Sequence, residues 1–301
     1  MKKSVSMLLA ALMLTGALAG CGSSASTSAS GTQAADGADS GVSGAITVIS
    51  REDGSGTRGA FIELTGVEEK TADGKKVDNT TADAEIANKT DVVLTSVAGN
   101  EKAIGYISLG ALNDTVKAVK VDGAEATVDN VKAGAYKLSR PFNIATKGEP
   151  TGVAKDFISF ILSKEGQAVV TDNKYIAVND AAESFVSDGS SGQIAVGGSS
   201  SVSPVMEKLI EAYKNVNPNA SIDLQTSDST SGMTGAMDGT FAIGMASREL
   251  KDEEAAQLTG TAIALDGIAV IVNPANTIDE LSMDQIKSIY VGDITDWGDL
   301  A

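Results

Sequence analysis

Three times in this chain a short apolar run enters a turn rich in serine, glycine and threonine and leaves it as a helical period. The turns are Ser50-Arg51-Glu52-Asp53-Gly54-Ser55-Gly56-Thr57, Gly197-Gly198-Ser199-Ser200-Ser201-Val202-Ser203 and Asp228-Ser229-Thr230-Ser231-Gly232-Met233. Each reads as a strand–turn–helix corner, and a chain built from such corners folds as layered α/β. A helix start leaves backbone N–H groups without partners and carries partial positive charge, while glycine admits close approach and hydroxyls add donors. Each corner therefore suits an oxyanion. The three together suit a tetrahedral one, with Arg51 as a bidentate cationic fork. Taken singly, such a turn is equally well read as a cap or loop, and Arg51 beside Glu52 and Asp53 as a solvated charge cluster.

The rest of the pattern agrees with α/β. Strands are expected at 46–49, 103–107, 116–121, 136–144, 194–196, 222–224, 241–245, 262–264 and 268–272. A helix opens near Gly56 with Ala60, Phe61 and Leu64 on one face, and another follows Pro150 to about Leu162 and on past Gly166. Ser203 reads as an N-cap with Pro204 at the first helical position, and Ser282 to Gln285 as a capping box. The polar stretch 68–90 reads as a loop, and the Gly/Ser cluster 187–192 as a boundary. Apolar residues make up 42% of the chain and aromatics only 4%, so the core is expected to be Ala, Val, Ile and Leu. Beyond the leader, roughly 250 residues suffice for two lobes.

Composition excludes several functions. A net charge of −17 leaves too few cations for a nucleic-acid partner. The chain has no histidine, which removes His-dependent catalytic arrangements and the commonest zinc ligand, and no clustered metal-ligand motif stands out. An acidic protein still binds a small anion where a pocket supplies local dipoles and a cation. The single cysteine, Cys21, has no internal disulfide partner. It follows Lys2, Lys3 and an apolar run from Met7 to Leu18, so residues 1–21 read as an export signal too short to span a bilayer. Leu18-Ala19-Gly20-Cys21 resembles the lipobox of bacterial lipoproteins, which implies lipidation of Cys21; the alternative is an ordinary secretory signal. Residues 22–44 read as a flexible tether.

ISREDGSGTRGAF at 49–61, VGGSSSVSPVMEKLIEAY at 196–213, IGMASREL at 243–250 and ALDGIAVIVN at 264–273 resemble the phosphate-binding proteins of Pst-type ABC importers. AIGYISLG at 103–110 and YKLSRPFNI at 136–144 extend the resemblance over nearly everything after residue 45. It implies a two-lobed type II periplasmic-binding-protein fold with the ligand cleft between lobes. It implies further that Arg51, Ser55, Gly56 and Thr57 bind phosphate from one lobe, that Ser200, Ser201 and Ser229 bind it from the other, and that Asp53 orients Arg51. The partners implied are phosphate and an ABC permease, with no cofactor and no metal. The protein is then a monomer on the outer face of the cell membrane, held there by the lipid on Cys21.

Two departures stand out. Where some members of that family carry a proton-accepting aspartate, this chain has Ser247, followed by Arg248. A hydroxyl donates or accepts, so sulfate is rejected less surely, unless Asp53 supplies the acceptor. Arg248 reads either as a second cation or as the partner of Glu249 or nearby acids. The segment order also differs, as though circularly permuted: one lobe is expected at 45–140 plus 267–301, the other at 141–266, with 187–192 only a linker. Alternatives are a protein for another tetrahedral oxyanion (sulfate or molybdate), a phosphate-ester hydrolase with Ser55 or Ser200 as nucleophile, and a phosphate sensor or scaffold working without a transporter.

Overall fold

The computed structural model describes residues 42–300; the leader with Cys21, the tether up to residue 41 and Ala301 lie outside them. Strand β1 (Thr47–Arg51) is buried from Val48 to Arg51, as expected of a strand flanked on both sides. Ser55 then caps helix α1 (Gly56–Thr65), accepting from the Arg58 N–H at 3.3 Å, and Gly66 at φ 74° ends it. The polar stretch read as a loop is more structured than expected. It holds a hairpin, β2 (Glu68–Lys70) and β3 (Lys76–Asp78), then β4 (Glu85–Ala87) beside β1. Helix α2 (Thr90–Ala98) and strand β5 (Ala103–Ser108) follow.

The 116–121 run divides into β6 (Lys117–Ala118) and β7 (Lys120–Val121), because it changes partner between them. After α3 (Val128–Lys132) comes β8 (Ser139–Thr146). The helix expected to run past Gly166 is two helices, α4 (Gly152–Leu162) and α5 (Lys164–Asp172). Ser163 makes the break: its hydroxyl donates to the Phe160 carbonyl at 2.7 Å and accepts from the Gly166 N–H at 3.2 Å. A Cβ on Gly166 would lie 2.1 Å from the Phe160 oxygen, so only glycine fits where the two helices meet.

Residues 177–191 form an irregular connection. Asp156 of α4 holds it, accepting from Ser187 Oγ at 2.8 Å and the Asp188 N–H at 2.9 Å as well as from Tyr213 and Asn217. Burial alone would raise the Asp156 carboxyl, but these donors outweigh it and hold the group below the usual aspartate range.

The second half runs β9 (Gly192–Ser199), α6 (Ser203–Val216), β10 (Ala220–Ser227), α7 (Ser229–Asp238), β11 (Ile243–Ala246), α8 (Asp252–Ala255), β12 (Thr259–Val272), β13 (Glu280–Leu281) and α9 (Met283–Val291). Ser203 is the first helical residue rather than the cap, and its hydroxyl donates back to the Ser199 carbonyl at 3.2 Å. The strands expected at 262–264 and 268–272 are one 14-residue strand, β12. The capping box on α9 forms as expected, with Ser282 Oγ accepting from Gln285 N–H and Gln285 Oε1 from Ser282 N–H.

A nine-stranded sheet runs β10-β9-β11-β8-β12-β5-β1-β4, with β6 on β12. The long antiparallel pair β8 and β12 sits at its middle, and the two cores lie to either side. One core gathers Ile49, Phe61, Ile104, Leu138, Ile271 and Trp297. The other gathers Phe142, Phe157, Val196, Leu209, Ile243 and Ile263. Each α/β lobe thus has its own apolar centre, and β8 and β12 cross between them. The two ends of the described chain meet in the first lobe. Ile46 N–H donates to Thr295 O at 2.8 Å, Trp297 N–H donates to Gly44 O at 3.1 Å, and Ala45 bridges Asp296.

Candidate functional site

Where the lobes face each other, the starts of four helices converge: α1 and α2 from one lobe, α6 and α7 from the other. Gly56 and Thr57 open α1, Thr90 opens α2, Ser200 and Ser201 lead into α6, and Ser229 opens α7. Four such starts direct partial positive charge and unpaired N–H groups at one region.

The hydroxyls there are buried and bonded to one another across the seam. Thr57 Oγ1 lies 2.9 Å from Ser201 Oγ and 3.2 Å from Ser247 Oγ. Thr90 Oγ1 is 3.2 Å from Ser201 Oγ and 3.4 Å from Ser200 Oγ. Ser199 Oγ donates to Ser247 Oγ at 3.0 Å, and the Ser247 N–H donates to Ser229 Oγ at 3.1 Å. Gly56 has to be glycine here: a Cβ would stand 2.4 Å from Ser229 Oγ and 2.8 Å from Ser247 Oγ. Gly54 is equally constrained by Asp228, and its carbonyl accepts from the Thr230 N–H of the other lobe at 3.1 Å.

Arg51 reaches this cluster. It is 2% exposed, and its NH2 donates to Ser200 Oγ at 3.1 Å, across the lobes. The expected partner does not orient it. The Asp53 carboxylate is 97% exposed and pairs with Arg58 at 3.0 Å, whereas Glu52 takes Arg51 in a fork at 2.8 and 2.7 Å. The turn after β1 carries Asp53 outward, so it offers the seam no acceptor. Arg58 also donates to the Arg51 carbonyl at 2.6 Å and pairs with Asp78, which braces the corner against the β2–β3 hairpin. Beneath it, the Tyr106 hydroxyl accepts from the Arg51 N–H at 3.1 Å and bonds Ser50 Oγ at 2.9 Å, while the ring stacks on Phe61. Burial pushes that hydroxyl's pKa up.

Of the remaining expected residues, Ser55 lies at the seam but spends its oxygen on capping α1. Ser200, Ser201, Ser229 and Ser247 are all in the hydroxyl cluster. Arg248 is no second cation for a ligand, because Glu254 takes both its terminal nitrogens at 2.7 and 2.8 Å. Burial would raise the Glu254 carboxyl, yet the Arg248 fork and the Lys251 N–H hold it below the ordinary glutamate range.

Three contributors are not among the expected binding residues: Thr90, Arg140 and Ser199, the last of which stands in the second corner turn. Thr90 sits in a stretch without glycine, so no corner signal marked it. Arg140 NH2 donates to Thr57 Oγ1 at 3.3 Å, while its NH1 is held by Asp266 and by the Gly267 carbonyl at 2.7 Å. Burial pushes the Asp266 carboxyl up, against the opposing pull of Arg140, Ser108 and the Gly110 N–H. Each guanidinium at the seam therefore has its own carboxylate: Glu52, Asp266 or Glu254. Glu52 and Ser200 engage Nε and NH2 of Arg51, so NH1 is the arm it has left for an anion, beside the dipoles and hydroxyl protons of the seam.

Two α/β lobes joined by crossing strands, with donors from both turned on a common seam, define a protein of the periplasmic-binding type. A model described as a PBP superfamily domain matches residues 24–165 and 184–301. The chain is 50% identical over 302 residues to phosphate-binding protein PstS 2 of Streptococcus agalactiae, covering 99% of this chain and 98% of that one. It is 48% identical over 298 residues to PstS 2 of Streptococcus pneumoniae, covering 99% of each. The crystal structure of a phosphate-binding protein of a phosphate ABC transporter from S. pneumoniae matches with a TM-score of 0.69 at 50% identity, over 86% of this chain and 100% of that one. The chain belongs to the PstS phosphate-binding proteins of the PBP superfamily. The names of these relatives are those of phosphate-binding proteins, the crystallised one belonging to an ABC transporter, and not of enzymes.

Proposed function

We propose that this protein captures inorganic phosphate between its lobes and delivers it to an ABC importer. The observation that carries this reading is the meeting of Arg51 with hydroxyls of both lobes, Thr57 and Thr90 on one side and Ser200, Ser201, Ser229 and Ser247 on the other. Binding is reversible and no covalent bond changes: the lobes close, water leaves, and each charge-assisted hydrogen bond to the anion strengthens. Arg51, whose Nε and NH2 are engaged by Glu52 and Ser200, supplies positive charge and its NH1, Gly56 allows the anion to approach the start of α1, and the hydroxyls donate to its remaining oxygens. Ser55 contributes by holding the cap that shapes the corner.

We divide the lobes at 140/141 and 266/267, near where membership passes from one core to the other. A permuted segment order accords with the pairing of residues 44–46 with 295–297, since termini opened at a surface loop remain neighbours. The protein acts extracytoplasmically, as a monomer tethered by lipid on Cys21. Among the described residues no helix is long and apolar enough to cross a membrane. Incorporation of labelled fatty acid that disappears in Cys21→Ala tests the anchor.

A second reading, another tetrahedral oxyanion such as sulfate or molybdate, is favoured by Ser247, because the seam hydroxyls accept from fixed donors and so direct their own protons inward. Titration calorimetry with phosphate against sulfate separates the two. Phosphate is expected to bind tighter, and tighter binding of sulfate would sink the phosphate reading.

A further inference from the structure

Arg140 has no part in the capture just described, yet it reaches the site. It is 3% exposed on β8, where that strand passes from one lobe to the other. One terminal nitrogen is held by Asp266 of β12, which is itself fixed by Ser108 Oγ at 2.7 Å and the Gly110 N–H at 3.3 Å. The other donates to Thr57 Oγ1. Arg140 Nε and the Tyr175 hydroxyl are, among the described residues, the buried side-chain polar atoms with no hydrogen-bond partner. A buried ion pair between two strands adds little net stability over well-packed apolar side chains, and a guanidinium with one N–H unsatisfied adds less. Stability alone does not account for this arginine.

Its chemistry does. A guanidinium has five donors and no acceptor, so Arg140 occupies a lone pair of the Thr57 oxygen and leaves that hydroxyl with a proton to give away. The other neighbours of Thr57 Oγ1 are Ser201 and Ser247, both of the opposite lobe. Arg51 stands in the same relation to Ser200. Two guanidinium groups thus push hydroxyl protons into the cluster from two different hydroxyls.

We propose that Arg140 is a positioning residue for anion capture: it holds the Thr57 hydroxyl as a donor toward the anion and, through Asp266, ties that orientation to the crossing strands β8 and β12. The proposal rests on the reading of the seam as a phosphate site. In place of Arg140, a residue that does not reach Thr57 leaves the threonine free to accept from Ser201 or Ser247, and its donation to the anion is no longer enforced.

The test is a double-mutant cycle on the full chain, read as the dissociation constant for inorganic phosphate by titration calorimetry. Arg140→Lys keeps a cation for Asp266 without the second arm of the fork. Arg140→Met combined with Asp266→Leu removes the pair together, so that no unpaired buried charge compromises folding. Each change is made with Thr57 intact and with Thr57→Val. With Thr57 present, both are expected to weaken phosphate binding about ten-fold, the scale of one hydrogen bond from a charged donor. With Thr57→Val in place, the same changes are expected to have less than about a two-fold effect. Losses that simply multiply overturn the proposal, and so does a lowered melting temperature with unchanged phosphate affinity. If the parent chain gives no heat with phosphate, the reading of the site itself fails and this proposal goes with it.

Discussion

The tripeptide Ser-Arg-Glu occurs twice at the end of a seam strand, at 50–52 where β1 ends and at 247–249 just after β11, and the two copies put the same side chains to opposite uses. In the first, Ser50 turns away to Tyr106, Arg51 crosses to Ser200, and Glu52 forks Arg51 from the next position. In the second, Ser247 joins the hydroxyl cluster, Arg248 is locked by Glu254 six residues on, and Glu249 meets Asn143. Neighbouring residues of an extended chain face opposite ways, so a shift of one residue in which side chain meets the seam exchanges the roles of serine and arginine. A motif of this kind identifies a corner. Which of its atoms does the work is settled by register.

Loss of either arginine is expected to separate the two corners most widely. Arg51→Met is expected to cost about 4 kcal/mol of phosphate binding, roughly a thousand-fold, because it removes the cation and leaves the Glu52 carboxylate unpaired at the seam; titration calorimetry measures it. Arg248→Met should instead cost about 3 kcal/mol of folding stability, by leaving the buried Glu254 without its partner, while phosphate affinity falls less than about ten-fold. Chemical denaturation beside calorimetry reads both. A larger binding loss for Arg248→Met than for Arg51→Met would void the assignment of roles.

Gly56→Ala sharpens the picture of closure. The added methyl group meets Ser229 and Ser247 at less than contact distance, so affinity should drop by about 2 kcal/mol with little change in the melting temperature of the ligand-free protein. Acid titration examines the second corner again. The Glu254 carboxyl is depressed in the folded state, so its contribution is present above the unfolded glutamate value of about 4.3 and is lost as pH falls through the folded value. Thermal unfolding of Glu254→Gln should accordingly depend less steeply on pH in that acid range than the parent. The smallest effect belongs to Asp53→Asn, below about two-fold in phosphate affinity, since that carboxylate is exposed and paired only with Arg58.

Much of the fold could be read from the residues. The apolar runs at β1, β5 and β12 and the capping box before α9 report local constraints, and local constraints are written in consecutive positions. Misjudgements fell where a distant partner or a single side-chain hydroxyl decides. The 68–90 stretch lacks an apolar period because β4 lies at the sheet edge, and Ser163 divides a helical period because its hydroxyl satisfies both helix ends. At the site, Arg51, Gly56, Thr57, Ser200, Ser201 and Ser229 were all visible as members of corner turns, and Ser247 through the family resemblance. Thr90 and Arg140 were not, since neither stands in such a turn, and Asp53 was credited with an orientation that belongs to Glu52.

By itself the sequence determined the corners: apolar spacing sets strands and helices, and serine, glycine and threonine at their junctions set caps that direct N–H groups and hydroxyls outward. Only the tertiary structure decided which corners meet, which carboxylate holds each guanidinium, and that a second arginine reaches Thr57. The reason is range. Caps and periods act over a few bonded residues, whereas the Arg51–Ser200 and Arg140–Thr57 contacts join positions 149 and 83 residues apart; the second exists only once its lobe has folded, and the first only once both lobes have folded against each other.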